Sequence, residues 1–366
     1  MSQIRLSRDA ACLPNLHRAR GSSPVKIAVV ASPVTPLRPA QMGGAQSVIC
    51  DLAVGLVRRG HSVQLHCAEG SEVEGVELFM VSTPPDALQA LVMPGGAQPA
   101  PSPGVAAAIA AMFRRIEASR PDVVSQHAFD APAFEMAEML PALHTLHLPP
   151  IEATVVAAVR LIPAVRLATV SQACRRDWEA AGARIGQVIR NGVSDLSVNG
   201  EPVEEVALIA GRISPEKGVD HALKAARMAS LRCRIAGSQY DPDYVVDLAG
   251  VEVLGSIPRD DLRRVMARSA VTVCAIRWEE PFGLVAAEAQ MAGCPVAAYR
   301  RGALPEVVEE GVSGFLAAPD DIEDLGRAIV KCLALDRRKV RASAQRRLGL
   351  EGMLNGYEAA LTEVAR

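Results

Sequence analysis

From Lys26 onward the sequence alternates two kinds of segment. Short runs such as KIAVVAS (26–32), HSVQLHCA (61–68), VALIAGR (206–212) and PVAAY (295–299) are apolar almost throughout, and longer helix-like stretches separate them. A strand that is apolar on both faces belongs to a parallel sheet covered on both sides, since an antiparallel strand with one wet face alternates apolar and polar residues. Strand and helix taking turns along a chain make βαβ units. The pattern therefore restricts the fold to the α/β class.

The alternation comes in two series. In the first, strands are expected at KIAVVAS, HSVQLHCA, VELFMVST (76–83), PDVVSQH (121–127), LHTLHL (143–148), RLATV (166–170) and GQVIRNG (186–192), with helices over about 45–59, 105–119, 131–140, 151–160 and 172–181. The stretch 84–103, rich in Pro and Gly, reads as a long loop at a domain edge. VSDLSVNGEPVEE (193–205) combines turn residues with charge and reads as a linker. The second series places strands at VALIAGR, LRCRIAG (231–237), VEVLG (251–255), VTVCAI (271–276), PVAAY and GFLA (314–317). Its helices are expected over 219–229, 243–249, 260–268, 283–292, 305–309, 321–334, 337–347 and 351–365. The expectation is two doubly wound parallel-sheet domains in tandem, 24–198 and 199–350, after a disordered tail over 1–23.

Composition supports this and removes some functions. A chain of 366 residues is too long for one ordinary core. Hydrophobic residues make up 49% and aromatic ones only 3%, so the cores must be built from aliphatic side chains. With 39 Lys and Arg against 41 Asp and Glu, the chain lacks the basic excess of a nucleic-acid binder or of a protein held on an anionic membrane. No run of ~18 apolar residues suggests a membrane span. Residues 1–23 carry Arg and Ser but no apolar core, unlike a secretory signal. The eight cysteines are scattered, form no C-x-x-C pair and mostly sit in apolar runs. That usage fits reduced, buried thiols in a cytoplasmic protein rather than disulfides or zinc.

In doubly wound sheets ligands bind beyond the carboxyl ends of the strands, where helices begin. Three junctions of the second series place polar residues there. In AGRISPEKGVD, Arg212 and Lys217 flank a helix start. Free N–H groups and the helix dipole already favour an anion there, and a guanidinium fork with an ammonium suits a diphosphate. Lysine is scarce, with only five in the chain, which weighs against Lys217 being background; the other reading is a solvated surface loop. In WEEPFGLVAAEAQMAGCPV, Glu280 lies on the loop and Glu288 about a turn and a half into the next helix. That helix is apolar or small all round, so the Glu288 carboxylate must be paired, either with sugar or ribose hydroxyls or with an internal cation. In YRRGALPEVVEEG, Gly302 and Ala303 form a tight turn before Pro305, and its N–H groups could hold a phosphate or sugar, or form an ordinary βα turn.

In the first series the matching junction holds Gly43 and Gly44, which would let backbone approach a ligand closely, although neither a G-x-G-x-x-G nor a P-loop pattern is present. His127 and His147 fall near carboxyl ends of strands, where ligands bind. His144 and His147 are three apart on one strand, point to opposite faces and are not a metal pair. His61 and His66 read as structural or solvent-exposed.

Taken together, GRISPEKG (211–218), EPFGLVAAEAQMAGCPV (280–296), GALPEVVEEGVSGFL (302–316), MGGAQ (42–46) with LAVGLVRRGHSV (52–63), and VIRNGV (188–193) resemble the retaining GT-B glycosyltransferases of family 4, from about Lys26 to the C-terminus. The resemblance implies two Rossmann-like domains facing a cleft. The second would hold a nucleotide-diphosphate sugar and the first most of the acceptor site, with the last helix, 351–366, crossing back onto the first. It places Arg212 and Lys217 on the diphosphate, Glu280 and His127 near the donor sugar, and Glu288 near the ribose. Gly43, Gly44, His147, Gly211, Phe282, Gly283 and Leu284 would complete the substrate contacts. The implied reaction is a metal-independent, retaining transfer of a hexose-like sugar to a small soluble acceptor, in a setting such as specialised-metabolite biosynthesis. A leaving-phosphate oxygen would deprotonate the acceptor. No metal site and no cofactor beyond the sugar nucleotide are expected, nor a nucleic-acid or membrane partner; a homodimer is compatible with the reading. The rival readings are a sugar-nucleotide epimerase on the same scaffold and a non-catalytic sugar-nucleotide-binding partner. The sequence departs from the family pattern at IRW (276–278), GSQ (237–239) and Gly302-Ala303.

Overall fold

The computed structural model describes residues 24–38, 44–87, 102–195 and 202–366. The expected tail over 1–23, Gly43 and most of the 84–103 loop lie outside the described residues.

The apolar runs become parallel strands. The first seven are β1 (Lys26–Val30), β2 (Ser62–Ala68), β3 (Glu77–Val81), β4 (Val123–Gln126), β5 (Ala142–Leu146), β6 (Leu167–Thr169) and β7 (Gln187–Val188). They form one sheet in the order β3-β2-β1-β4-β5-β6-β7. The next six are β8 (Glu204–Ala210), β9 (Arg232–Ala236), β10 (Val251–Val253), β11 (Ser269–Cys274), β12 (Val296–Tyr299) and β13 (Gly314–Ala317), in the order β10-β9-β8-β11-β12-β13. Every pairing between these strands is parallel. Burial on both faces explains the unbroken apolar runs: every residue of β12 is fully buried. This is the doubly wound architecture expected from the alternation. Each sheet reverses its strand order once, between β1 and β4 and between β8 and β11. Such switch points open a crevice at the carboxyl ends of the strands.

The helix Leu350–Val364 lies on the first sheet, where Met353, Leu354 and Tyr357 share a core with Ile27, Val29 and Leu52. Another core runs from Phe129 and Trp178 of the first half to Phe282 and Leu304 of the second. Within the expected linker, Val193 is tied to this helix's start, donating to the Leu348 carbonyl and accepting from the Leu350 N–H.

The helix expected over 243–249 is absent, and the segment is irregular with a turn at each end. Asp241 and Asp247 each accept a bond from the backbone N–H two residues on, at Asp243 and Ala249. Such local bonds offer the backbone an alternative to a helix. Tyr244, which a helix would have carried, instead bonds Asp220 through its hydroxyl.

Candidate active site

Both switch points open on one cleft with a cavity of about 420 Å³. Its walls include Gly44, His127 and His147 from the first half, and Gly211, Arg212, Lys217, Glu280, Phe282, Gly283 and Leu284 from the second. These residues, expected to act together, share one cavity.

Lys217 ends a short 3-10 turn, Pro215–Lys217, that precedes the helix Val219–Met228. Gly218 between them has φ +59, and a Cβ there would lie 2.0 Å from the Ala275 carbonyl oxygen. Only glycine lets this turn press against the tip of β11. The ammonium of Lys217 consequently donates to Glu280 Oε2 at 2.8 Å, and the Trp278 indole N–H donates to the same oxygen at 2.8 Å. Burial pushes the Glu280 pKa upward, but Lys217, the two hydrogen bonds and Arg212 together hold it below the ordinary carboxylate value. Glu280 is therefore ionised at neutral pH. Its Oε1 has no hydrogen-bond partner among the described residues. Arg212 donates to Glu216 Oε1 at 3.0 Å and lies 4.6 Å from the ring centre of Tyr240.

Glu288 sits in the helix Leu284–Met291, as expected, but in an adjoining pocket of about 110 Å³ that Gly44, Gly211 and Arg212 also border. Its Oε1 accepts from Arg259 Nε at 2.5 Å and from an Arg263 nitrogen at 3.4 Å. The internal ion pair that the sequence left open is thus present. Oε2 has no hydrogen-bond partner among the described residues. Arg259 also donates to Asp51 Oδ2 of the first half at 2.8 Å. Burial pushes the Asp51 carboxyl above its ordinary value, against the pull of Arg259.

The Gly302 turn follows the second of its two readings, an ordinary turn between strand and helix. Gly302 N–H donates to Glu279 Oε2 at 2.9 Å and Ala303 N–H to the Glu280 carbonyl at 2.9 Å. A Cβ on Gly302, at φ +54, would lie 2.4 Å from the Glu280 nitrogen. These two N–H groups therefore clamp the glutamate loop and are unavailable to a ligand.

On the facing wall, His127 Nδ1 lies 2.8 Å from His147 Nε2, and His127 Nε2 lies 2.8 Å from Ser125 Oγ. Burial, with a smaller push from His147 and His144, holds His127 well below the usual imidazole value, and burial lowers His147 to about 4. Both rings are neutral at pH 7. His144 turns instead to Phe134, with ring centres 5.3 Å apart. His61 and His66 are both buried.

Sequence reasoning missed Asp51, Arg259, Arg263 and Trp278. Arg259 opens a helix just past β10 at SIPRDD (256–261), a fourth strand-to-helix junction that carried the same signal as the other three. Asn191 was visible within VIRNGV but not singled out. It is 5% exposed, lines the cleft, and its Oδ1 has no partner among the described residues.

Two family models match the chain: Glycosyltransferase Family 4 over residues 42–195 and Glycosyl transferases group 1 over 197–347. The chain is 36% identical over 157 residues to a D-inositol 3-phosphate glycosyltransferase of Mycobacterium sp. (strain KMS), covering 39% of this chain and 36% of that protein. Against the protein of the same description from Mycolicibacterium smegmatis, it is 34% identical over 188 residues, 46% of this chain and 43% of that one. The chain thus spans less than half the length of these curated relatives. Among solved structures it resembles HepE of Anabaena crystallised with UDP, with a TM-score of 0.69 and 21% identity over 92% of this chain and all of that one. It also resembles AviGT4, a glycosyltransferase involved in avilamycin A biosynthesis, with a TM-score of 0.67 and 20% identity over 93% of this chain and 98% of that one. At these identities the likeness is one of fold.

Proposed function

Because the chain belongs to the group 1 glycosyl transferases of family 4 and has their GT-B fold, we propose that it transfers a sugar from a nucleoside-diphosphate sugar to an acceptor hydroxyl with retention of anomeric configuration. The observation that carries this reading is the convergence of Arg212, Lys217 and Glu280 on one cleft beside the start of the helix Leu284–Met291. A diphosphate fits between the two cations and the positive end of that helix. Glu280 has one oxygen fixed by Lys217 and Trp278 and the other without a protein partner, which suits it to read donor-sugar hydroxyls. Glu288 repeats the pattern beside Arg259, which supports a role at the ribose.

In the proposed step the acceptor oxygen bonds to the anomeric carbon as the bond from that carbon to the diphosphate oxygen breaks. The acceptor proton passes to the departing phosphate oxygen on the same face. Arg212 and Lys217 stabilise the charge that grows on the diphosphate. The neutral imidazole of His127 packs against the donor sugar. No step needs a metal ion. HepE is described with UDP and with UDP-glucose, so UDP-sugars head the donor panel for this chain. The acceptor named for the mycobacterial relatives is not carried over from a partial match.

A thermal-shift panel of UDP-, GDP-, ADP- and TDP-sugars tests the donor site. A true donor at one hundred times its Kd should add roughly 2.7 kcal/mol of stability. Lys217→Ala should lower kcat by on the order of 10²-fold to 10³-fold. Transfer at the wild-type rate by that variant would refute the role. Sugar-nucleotide conversion without any acceptor would favour an epimerase, and binding without turnover a non-catalytic partner.

A further inference from the structure

Transfer needs a second substrate beside the donor sugar. If the donor's charge rests on Arg212 and Lys217, as proposed above, the second substrate faces it from the wall of the first half. That wall holds Leu37, Ile49, Phe129 and Leu148, with Thr35 and Gln46 as neutral hydrogen-bonding groups. Among the described residues, no lysine or arginine of the first half lines the cleft. Arg38, beside Leu37, donates to the Gly70 carbonyl at 3.0 Å, and Arg190, beside Asn191, lies 3.7 Å from Glu306.

The histidines do not supply the missing cation, since burial keeps His127 and His147 neutral. An acid also touches this wall from behind, since Ser32 donates to Asp130 Oδ2 at 3.3 Å. A phosphate or carboxylate placed against these residues would lose water with no cation to replace it. A ring with an apolar face would be matched by Phe129, Ile49 and Leu148, and a hydroxyl by the neutral polar groups.

We propose that the acceptor is an uncharged small alcohol or phenol with an apolar ring face, and that the facing wall excludes acceptors bearing phosphate or carboxylate. The inference rests on the donor reading above but is measured separately from it. Matched pairs serve as probes: 4-hydroxybenzyl alcohol with its benzylic phosphate ester, and myo-inositol with a myo-inositol monophosphate. Binding is read by saturation-transfer NMR with and without the nucleoside diphosphate that gives the largest thermal shift, and product is read by mass spectrometry. The aryl alcohol is expected to bind and accept sugar, with its phosphate ester weaker by on the order of 100-fold. Equal or tighter binding by either phosphate ester would overturn the inference, as would failure of both neutral rings to bind. Failure of the donor reading shows differently, as no response to any nucleoside diphosphate, while the ratio within each pair still reports the charge preference of the wall.

Discussion

His66, His127, His144 and His147 are each less than a tenth exposed, and burial is the first cause that holds every one of these rings neutral. His66 and His147 fall to about 4 and His144 to about 3. In the unfolded chain each takes its proton near pH 6.5. As pH falls from about 6.5 toward 4, the unfolded state therefore gains protons that the native state refuses, and stability drops. Asp130 opposes this, because burial raises its carboxyl to about 6 and the native state takes that proton first; Asp51 shifts in the same direction. With at most two of the four histidine protons offset, the slope should still reach roughly 3 kcal/mol per pH unit within the window. Urea denaturation at several pH values between 6.5 and 4 measures it. A flat profile would mean that these imidazoles accept protons in the folded protein.

At the scale of elements, the last described helix shows what fastens it to the first half. Arg59, fully buried at the end of the helix Gly44–Arg58, donates to Glu358 at 2.8 Å, to Glu351 at 2.6 Å and to Asn355 at 2.7 Å, all on the helix Leu350–Val364. His61 Nε2 also meets Glu358, at 3.1 Å. Glu358→Ala leaves the buried Arg59 to Glu351 and Asn355 and takes the carboxylate from His61, and should cost about 1–3 kcal/mol. Glu351 is half exposed, and Glu351→Ala should cost about 0–1 kcal/mol. Equal effects in chemical denaturation would contradict this account. The helix itself was legible in the sequence, as were the strands, because apolar runs buried on both faces leave a local signature. The strand tips were legible too, so Arg212, Lys217, Glu280 and His127 could be named from position alone. The irregular stretch over 243–249 was not, because aspartate side chains bonding to nearby N–H groups override a helical pattern. The Gly302 turn was seen, but its use was not: whether a free N–H meets a ligand or a neighbouring loop depends on packing between junctions far apart in sequence.

The same limit applies most strongly to the whole molecule. Asp51 and Arg259 lie more than two hundred residues apart, and nothing local marks them as partners. Their contact joins the two halves on one side of the cleft, and on another Glu306 of the second half caps the helix Gln172–Ala180 of the first, accepting from the N–H groups of Gln172 and Ala173 at 3.0 and 2.7 Å. Between these ties Leu284 packs against both cores, and a Cβ on Gly44 would come within 2.8 Å of it. Arg259 is the piece shared with the donor pocket, since its Nε holds Glu288 while another of its nitrogens holds Asp51. Closing the halves and orienting Glu288 are thus tasks of a single guanidinium. Asp51→Asn removes the charge on the far side and leaves Glu288 and Arg259 in place. The expected result is a several-fold rise in KM for the donor with kcat little changed, because the loss falls on assembling the pocket rather than on charge developing at the diphosphate. Small-angle X-ray scattering should show a larger radius of gyration for the variant without nucleotide and convergence with the wild type once donor is bound. If the free variant scatters like the wild type and its donor KM is unchanged, the Asp51–Arg259 pair is a passive contact and the two halves are held by the Glu306 cap and their apolar seam.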